Sequence, residues 1–173
     1  MELQKPYAYQ NGYIGHGLES ALFAQFPKTV EVEGYKLTKK SEFHVSLICV
    51  KEYAPRLVQE KGIELEEAER GLLRSFAQFV EKTPVTLNRF ENEFRLVEQR
   101  ERRSVVILCT MKNLEELFAE INKTCGLDAP VQPTHVTLYT LQPNVGIGIS
   151  SEEGMNKTKR VRLPELQTAF KTL

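Results

Sequence analysis

A tetrapeptide that occurs twice constrains this chain more than any other feature of its sequence. The copies are residues 44–47 (His-Val-Ser-Leu) and 135–138 (His-Val-Thr-Leu), an offset of 91 positions. At average residue usage, a given histidine is followed by Val, then Ser or Thr, then Leu about once in a thousand cases. Because two of the three histidines are followed in this way, we interpret the repetition as a functional duplication.

Each copy is predicted to lie on a β-strand. Residues 43–50 and 134–141 are rich in β-branched and apolar side chains, which favour strands. Successive side chains of a strand point to opposite faces, so His44 shares a face with Ser46, and His135 shares one with Thr137. The other face of each strand carries apolar side chains suited to a core. Two imidazole–hydroxyl pairs that faced one another would form a phosphate site.

With these two motifs, the sequence resembles the 2H phosphoesterase superfamily, which is named for two His-x-Ser/Thr motifs on strands of two pseudo-symmetric halves. The matching segments are residues 43–48 (Phe-His-Val-Ser-Leu-Ile) and 134–139 (Thr-His-Val-Thr-Leu-Tyr). The order of predicted elements around them extends the resemblance over most of the chain. That family contains cyclic phosphodiesterases acting on RNA ends and nucleotides, enzymes that trim 2′,5′-linked oligonucleotides, and nucleotide-binding relatives. The resemblance implies a reaction type and leaves the substrate open.

The predicted elements give an α+β fold with mainly antiparallel strands and helices packed outside. The resemblance implies a bilobal, pseudo-symmetric arrangement in which antiparallel sheets line a central cleft. We therefore expect residues 1–173 to form a single bilobal domain. One lobe would comprise roughly residues 1–90, to which the tail 142–173 could contribute, and the other roughly residues 91–141. The motif strands would lie side by side at the centre, with the cleft between the lobes as the active site.

Histidines suit the chemistry of a phosphodiester because an unperturbed pKa of about 6.5 lets one ring be neutral and another protonated near neutral pH. His44 and His135 would supply the general base and the general acid, in an order that the sequence leaves open. Ser46 and Thr137 would donate to the non-bridging phosphate oxygens. Tyr139 lies two residues beyond Thr137, so it either contacts the substrate or packs in the core or at the rim.

Two rival functions use the same residues. A metalloenzyme would take both motif histidines as ligands, but the sequence has neither HExxH nor carboxylates at compact ligand spacing, so we predict no metal and no cofactor. A non-catalytic module would hold a nucleotide phosphate in the same cleft without turnover. The sequence does not separate that module from a phosphodiesterase.

The net charge limits the class of binding partner that we expect, and the cysteine content indicates the cellular compartment. With 23 basic and 23 acidic residues the formal net charge is zero, whereas proteins that grip long nucleic acids carry a surplus of cations. We expect a small nucleotide or an oligonucleotide end as substrate, or no nucleic acid at all, and a monomeric protein. The three cysteines lack CxxC spacing and are expected to be reduced core thiols. Without an apolar signal segment or membrane span, the predicted location is cytoplasmic.

Other charged or glycine-flanked residues have two interpretations each. His16, between two glycines, is either a third phosphate contact at a helix start or an ordinary loop histidine. Lys39 and Lys40 could attract an anionic substrate or lie in a solvated turn. The arginines of the predicted hairpin turn at residues 98–103 could reach a phosphate.

Hydrophobic periodicity predicts the remaining elements. Helices are expected over residues 18–26, 65–80 and 113–126. Strands are expected over residues 29–33, 35–38, 85–90, 94–98 and 104–110. Residues 53–62 are interpreted as a charged connector with one helical turn, and residues 146–150 as a terminal strand rather than a nucleotide loop.

Overall fold

The computed structural model describes residues 3–171, which form an α+β fold built on one large antiparallel sheet. Residues 1–2 and 172–173 lie outside the described residues. The first two belong to the N-terminal segment that was expected to carry no signal sequence, and the last two belong to the tail. The strands are β1 (Tyr7–Gln10), β2 (Tyr13–Leu18), β3 (Thr29–Val32), β4 (Tyr35–Lys39), β5 (Phe43–Cys49), β6 (Thr86–Gln99), β7 (Arg102–Lys112), β8 (His135–Thr140) and β9 (Lys159–Val161). The helices are α1 (Val50–Lys61), α2 (Leu65–Lys82), α3 (Leu114–Cys125), α4 (Glu152–Asn156) and α5 (Pro164–Phe170).

The two motif strands are neighbours at the centre of the sheet, as predicted. Across the sheet the strand order is β1-β2-β5-β8-β7-β6-β9, and the hairpin β3-β4 joins it through the end of β8. Each neighbouring pair is antiparallel. Val45 of β5 pairs with Val136 of β8, so the central residues of the two motifs lie directly opposite each other.

The helices α1, α2 and α3 cover the face of the sheet to which Val45 and Val136 point. Both valines are fully buried in the main core, which also contains Leu72 and Phe76 of α2 and Phe118 of α3. Helix α2 has its apolar side chains on one face and begins with acidic residues, which suit the positive end of a helix dipole. With one face of the central strands buried under helices, the opposite face is left for the cleft.

The strands flanking the two motifs repeat one another at the same offset of 91 residues. In the pair β2–β5, Tyr13 lies opposite Cys49 and Gly17 opposite His44. In the pair β7–β8, Ser104 lies opposite Thr140 and Leu108 opposite His135. All four positions differ by 91, so the repetition extends to the neighbouring strands as a repetition of pairing register, although their residues differ.

Both motif strands also contain a bulge at the same place. The pairing of β5 with β2 passes from Ser46 to Ile48 and skips Leu47. The pairing of β8 with β7 passes from Thr137 to Tyr139 and skips Leu138. A bulge adds a residue to one strand and breaks the simple alternation of faces. The leucine that closes each tetrapeptide is therefore the position at which the strand changes its facing.

Four elements differ from the sequence predictions. The two strands expected over residues 85–90 and 94–98 are one strand, β6, with an irregularity between Phe90 and Phe94. Residues 18–26 contain one turn of 3₁₀ helix, Ser20–Phe23, instead of the expected α-helix. The expected connector at residues 53–62 is most of α1, which runs through Pro55. Residues 146–150 form an irregular segment instead of a terminal strand, and Ile147 and Ile149 pack in a small core with Val97 and Val106.

Candidate active site

A cleft of about 850 Å³ lies on the open face of the sheet, over the two motif strands. His44, Ser46, His135 and Thr137 all line it. The side walls come from β1 and β2 on one side, and on the other from the β6–β7 turn and from the segment after β8. The structure therefore brings together the two imidazole–hydroxyl pairs that the sequence singled out.

Antiparallel pairing determines how the four side chains are arranged. Val45 lies opposite Val136, and the antiparallel direction of the two strands then places His44 nearest to Thr137 and Ser46 nearest to His135. Side chains directly opposite in such a pair have Cβ atoms about 5 Å apart. Each imidazole thus lies nearest to the other motif's hydroxyl, and all four side chains line the same cleft.

Tyr139 does not belong to this group, and we correct its predicted place among the substrate contacts. It is fully buried, and its hydroxyl donates a hydrogen bond of 2.8 Å to the carbonyl oxygen of Pro27. The bulge at Leu138 breaks the alternation by which Tyr139 would have shared the face of Thr137. Its position is one of core packing.

His135 is held as a neutral imidazole. It exposes only 5% of its surface, and burial, followed by the positive charge that His44 can carry, lowers its pKa to about 4. The backbone of Pro133 opposes this shift weakly. Its Nδ1 atom is buried and makes no hydrogen bond of acceptable geometry within the described part of the chain. Because Nδ1 is closed to solvent, a proton from the cleft would have to reach the other ring nitrogen, Nε2.

His44 lies closer to the cleft mouth and has a different electrostatic setting. The residue is exposed, yet the surrounding protein partly desolvates its ring, which lowers its pKa, and the ammonium of Lys40 lowers the pKa further. Glu42 acts in the opposite direction. An anion in the cleft would offset the effect of Lys40 and favour the protonated ring.

The cleft carries more positive than negative side chains. Lys40, Lys51 and Arg102 line it, and Glu42 is the acidic residue among its lining residues. Sequence reasoning left Lys40 and the arginines of residues 98–103 open as possible phosphate contacts, and it missed Lys51. The signal for Lys51 is its place just beyond the first motif strand, which sequence periodicity alone does not connect to the cleft.

Two residues with a possible phosphate role are used elsewhere. Lys39 donates from its Nζ atom to the carbonyl oxygens of Phe23 and Phe26, at 3.1 and 2.8 Å. His16 lies in β2 rather than at a helix start, and its ring packs edge-on against Tyr7 with centroids 5.5 Å apart. It is largely buried, so the interpretation as a third phosphate contact is wrong. Its neighbours Gly15 and Gly17 line the cleft instead.

Within residues 3–171, no three His, Cys, Asp or Glu side chains are grouped so that they could hold a metal ion. In the same range, no helix is long and apolar enough to cross a membrane. Cys49, Cys109 and Cys125 are free and buried, as predicted.

Comparison with protein-family models, with curated proteins and with solved structures found no significant match.

Proposed function

We propose that this protein is a metal-independent phosphodiesterase of the 2H type. It would hydrolyse a small cyclic phosphodiester, such as a 2′,3′-cyclic nucleotide or RNA end, or a 2′,5′-linked phosphodiester. The observation that carries the proposal is the antiparallel pairing of Val45 with Val136, which brings both His-x-Ser/Thr pairs into one cleft. The bilobal 2H fold is part of the proposal, and the repetition of β2–β5 in β7–β8 at a single offset supports it.

The two histidines divide the proton transfers between them. His135, buried and neutral, takes a proton from the attacking water as its oxygen bonds to phosphorus. His44, nearer the cleft mouth, gives its proton to the departing ribose oxygen as the P–O bond breaks. The product is a phosphomonoester, and proton exchange with solvent restores both rings.

Charge and hydroxyl groups stabilise the transition state. Ser46 and Thr137 donate to the non-bridging oxygens, on which negative charge accumulates. Lys40 lies in the cleft near His44, where its ammonium stabilises the phosphate and the charge that develops on it. The substrate anion in turn raises the pKa of His44, which favours the protonated form that the acid requires.

A nucleotide-binding module is the second candidate, and the low pKa of His135 favours it. In the empty cleft that imidazole is neutral near pH 7, and desolvation lowers the pKa of His44 as well, which disfavours the protonated form of both rings. Such a cleft would bind a phosphate through its hydroxyls and Lys40 without hydrolysis.

Location and oligomeric state complete the proposal. Three free, buried cysteines fit a reducing compartment, and we place the protein in the cytoplasm. The large apolar side chains exposed among residues 3–171 are Leu22, Tyr35, Leu65 and Val131. They lie on separate elements, which fits a monomer.

The test is a screen in EDTA of 2′,3′-cyclic nucleotides, ADP-ribose cyclic phosphate and 2′,5′-oligoadenylates. We expect turnover of at least one substrate, and a loss of about 10²- to 10⁴-fold in kcat for His44→Ala and for His135→Ala. The double mutant should be little worse than the more damaged single mutant, because both groups serve one step. Tight binding without turnover would favour the binding module. Activity that EDTA abolishes and a divalent metal restores would contradict the two-histidine mechanism.

A further inference from the structure

The two faces of the β6–β7 hairpin carry polar side chains in different settings next to the turn. Glu98 lies opposite Arg103 in the pairing of the two strands, and Gln99 lies opposite Arg102. Because successive side chains of a strand alternate between faces, the first pair shares one face and the second pair shares the other. Gln99 and Arg102 line the cleft, and Glu98 and Arg103 do not.

The pair on the face away from the cleft belongs to a cluster of charged groups. Arg103 Nε lies 3.2 Å from a carboxylate oxygen of Glu98, and the guanidinium carbon of Arg103 lies 3.8 Å from the centroid of the Tyr35 ring. Lys159 Nζ lies 2.9 Å from Glu98 and 3.1 Å from Glu33. The turn that carries Arg102 is therefore anchored to β9 and to the β3–β4 hairpin.

Arg102 is left unpaired on the cleft face. Its neighbours Arg95, Arg103 and Lys159 each pair with a carboxylate. The Arg102 side chain, by contrast, has no ion-pair or hydrogen-bond partner among residues 3–171. A guanidinium offers N–H donors in a planar fork that matches two oxygens of a phosphate. An anchored hairpin that presents this group to a positive cleft favours a phosphate as its partner.

The position of Arg102 along the sheet indicates which part of the substrate it meets. Val106 lies opposite Thr137, and Arg102 precedes Val106 by four positions, about 13 Å along an extended strand. Because an arginine side chain covers only part of that distance, its guanidinium would lie nearer to the far side of the ribose than to a phosphate held by Thr137. His44, the proposed acid for the departing ribose oxygen, lies at the same end of the motif pair as Thr137, so the ribose extends toward Arg102.

We propose that Arg102 selects substrates that carry a second phosphate on the 5′ oxygen of the ribose, with the amide of Gln99 beside it as a further donor. The inference rests on the proposed function, since it takes the reacting phosphate to lie between His44 and His135. The second phosphate is either the 5′-phosphate of a mononucleotide or the phosphodiester that joins the last nucleotide of an RNA to the one before it. Both present two non-bridging oxygens to the guanidinium.

Three substrates that differ only at the 5′ position test this selection. They are adenosine 2′,3′-cyclic phosphate, its 5′-phosphorylated form, and the dinucleotide ApA that ends in a 2′,3′-cyclic phosphate. The measured quantity is kcat/KM for each 5′-substituted substrate relative to that for the first. We expect at least one ratio to be about tenfold or more in wild type, the effect of one hydrogen bond between charged groups. It should fall to about one in Arg102→Gln and be intermediate in Arg102→Lys, which keeps the charge and loses the fork.

Arg100→Gln is the matched control, because it removes the same charge from the same turn at a residue that does not line the cleft. Its ratios should stay within about twofold of wild type, as expected for a surface charge that makes no contact with the substrate. Ratios near one in wild type, or an equal fall in Arg102→Gln and Arg100→Gln, overturn the assignment. A gain in rate that Arg102→Gln leaves intact comes from another contact and also counts against Arg102.

The two 5′-substituted substrates also separate the two sources of the second phosphate. A gain for both of them that Arg102→Gln removes supports the assignment and identifies an RNA end as an acceptable substrate. A gain confined to the 5′-monoester, again removed in Arg102→Gln, supports the assignment and identifies a mononucleotide.

Equilibrium binding separates a failure of this assignment from a failure of the proposed reaction. Isothermal titration with adenosine 2′,5′-bisphosphate and with 2′-AMP needs no turnover. The assignment requires the bisphosphate to bind about tenfold more tightly than 2′-AMP in wild type, and Arg102→Gln to remove most of that difference. This result in a protein without hydrolytic activity would refute the phosphodiesterase and retain the role of Arg102. Equal affinity for the two nucleotides in wild type refutes that role whether or not the protein hydrolyses cyclic phosphates.

Discussion

At the scale of single residues, the burial of His135 links the site to the stability of the fold. Its pKa of about 4 lies below the value of 6.5 for an exposed histidine, so between these pH values the unfolded chain binds more protons than the folded one. The free energy of unfolding should therefore decrease as pH falls from about 6.5 to about 4, by an amount on the order of 3 kcal/mol from this group.

Urea unfolding of wild type and His135→Asn between pH 7 and pH 4.5 measures this contribution. Acidic groups also titrate in that range, so the quantity of interest is the difference between the two proteins. The pH dependence of wild type should be the steeper of the two. Parallel curves would mean that His135 is accessible and titrates normally.

Two adjacent lysines offer a matched pair for testing the charge of the cleft. Lys40→Met should weaken substrate binding about tenfold and raise the pKa of His44, because Lys40 lowers that pKa. Lys39→Met should instead cost about 1.5–3 kcal/mol of stability, since it removes charged hydrogen bonds to the carbonyls of Phe23 and Phe26. NMR titration of His44 and urea unfolding report the two effects. If both variants lose substrate affinity equally, Lys40 has no special role in binding the substrate.

At the scale of elements, the sequence predicts which side chains of a motif strand face the cleft only up to the bulge in that strand. Alternation along each motif correctly puts His44 with Ser46 and His135 with Thr137 on the cleft face, because a strand has a period of two. The same rule fails for Tyr139, since Leu138 interrupts the period. A bulge depends on pairing with a distant strand, here β7, so no local pattern announces it. The pairing of Val45 with Val136 also joins residues that are far apart in the sequence. The repeated motif suggested that the two strands are neighbours, but the register between them is known only from the structure.

The core position of Tyr139, which the sequence did not predict, can be tested by mutation. Its hydroxyl bonds the Pro27 carbonyl, away from the cleft, so Tyr139→Phe should lower the free energy of unfolding by about 1 kcal/mol. The kcat and KM for the best substrate should remain within twofold of wild type. A loss of activity larger than the loss of stability explains would return Tyr139 to the site.

At the scale of the whole molecule, a neutral protein contains a positive cleft. The formal charge is zero, yet Lys40, Lys51 and Arg102 line the cleft against one acidic residue, Glu42. Other charges pair among themselves away from it, as Arg95 does with Glu93 and Lys159 with Glu98. The surface as a whole therefore offers little attraction to a long polyanion.

This distribution predicts how RNA length and salt affect binding of an oligonucleotide that ends in a 2′,3′-cyclic phosphate. With three cations in reach, log Kd should change with log salt concentration with a slope of no more than about 2, from roughly 0.7 per neutralised phosphate of a single strand. Affinity should stop rising once the RNA exceeds the few nucleotides that the cleft can hold. Fluorescence anisotropy with labelled RNAs of 2, 4 and 20 nucleotides, on the order of the cleft and well beyond it, would measure both quantities in the inactive His44→Ala variant. A steeper slope, or affinity that keeps rising with length, would place a second cationic track outside the cleft and contradict the assignment of a small or end-bound substrate.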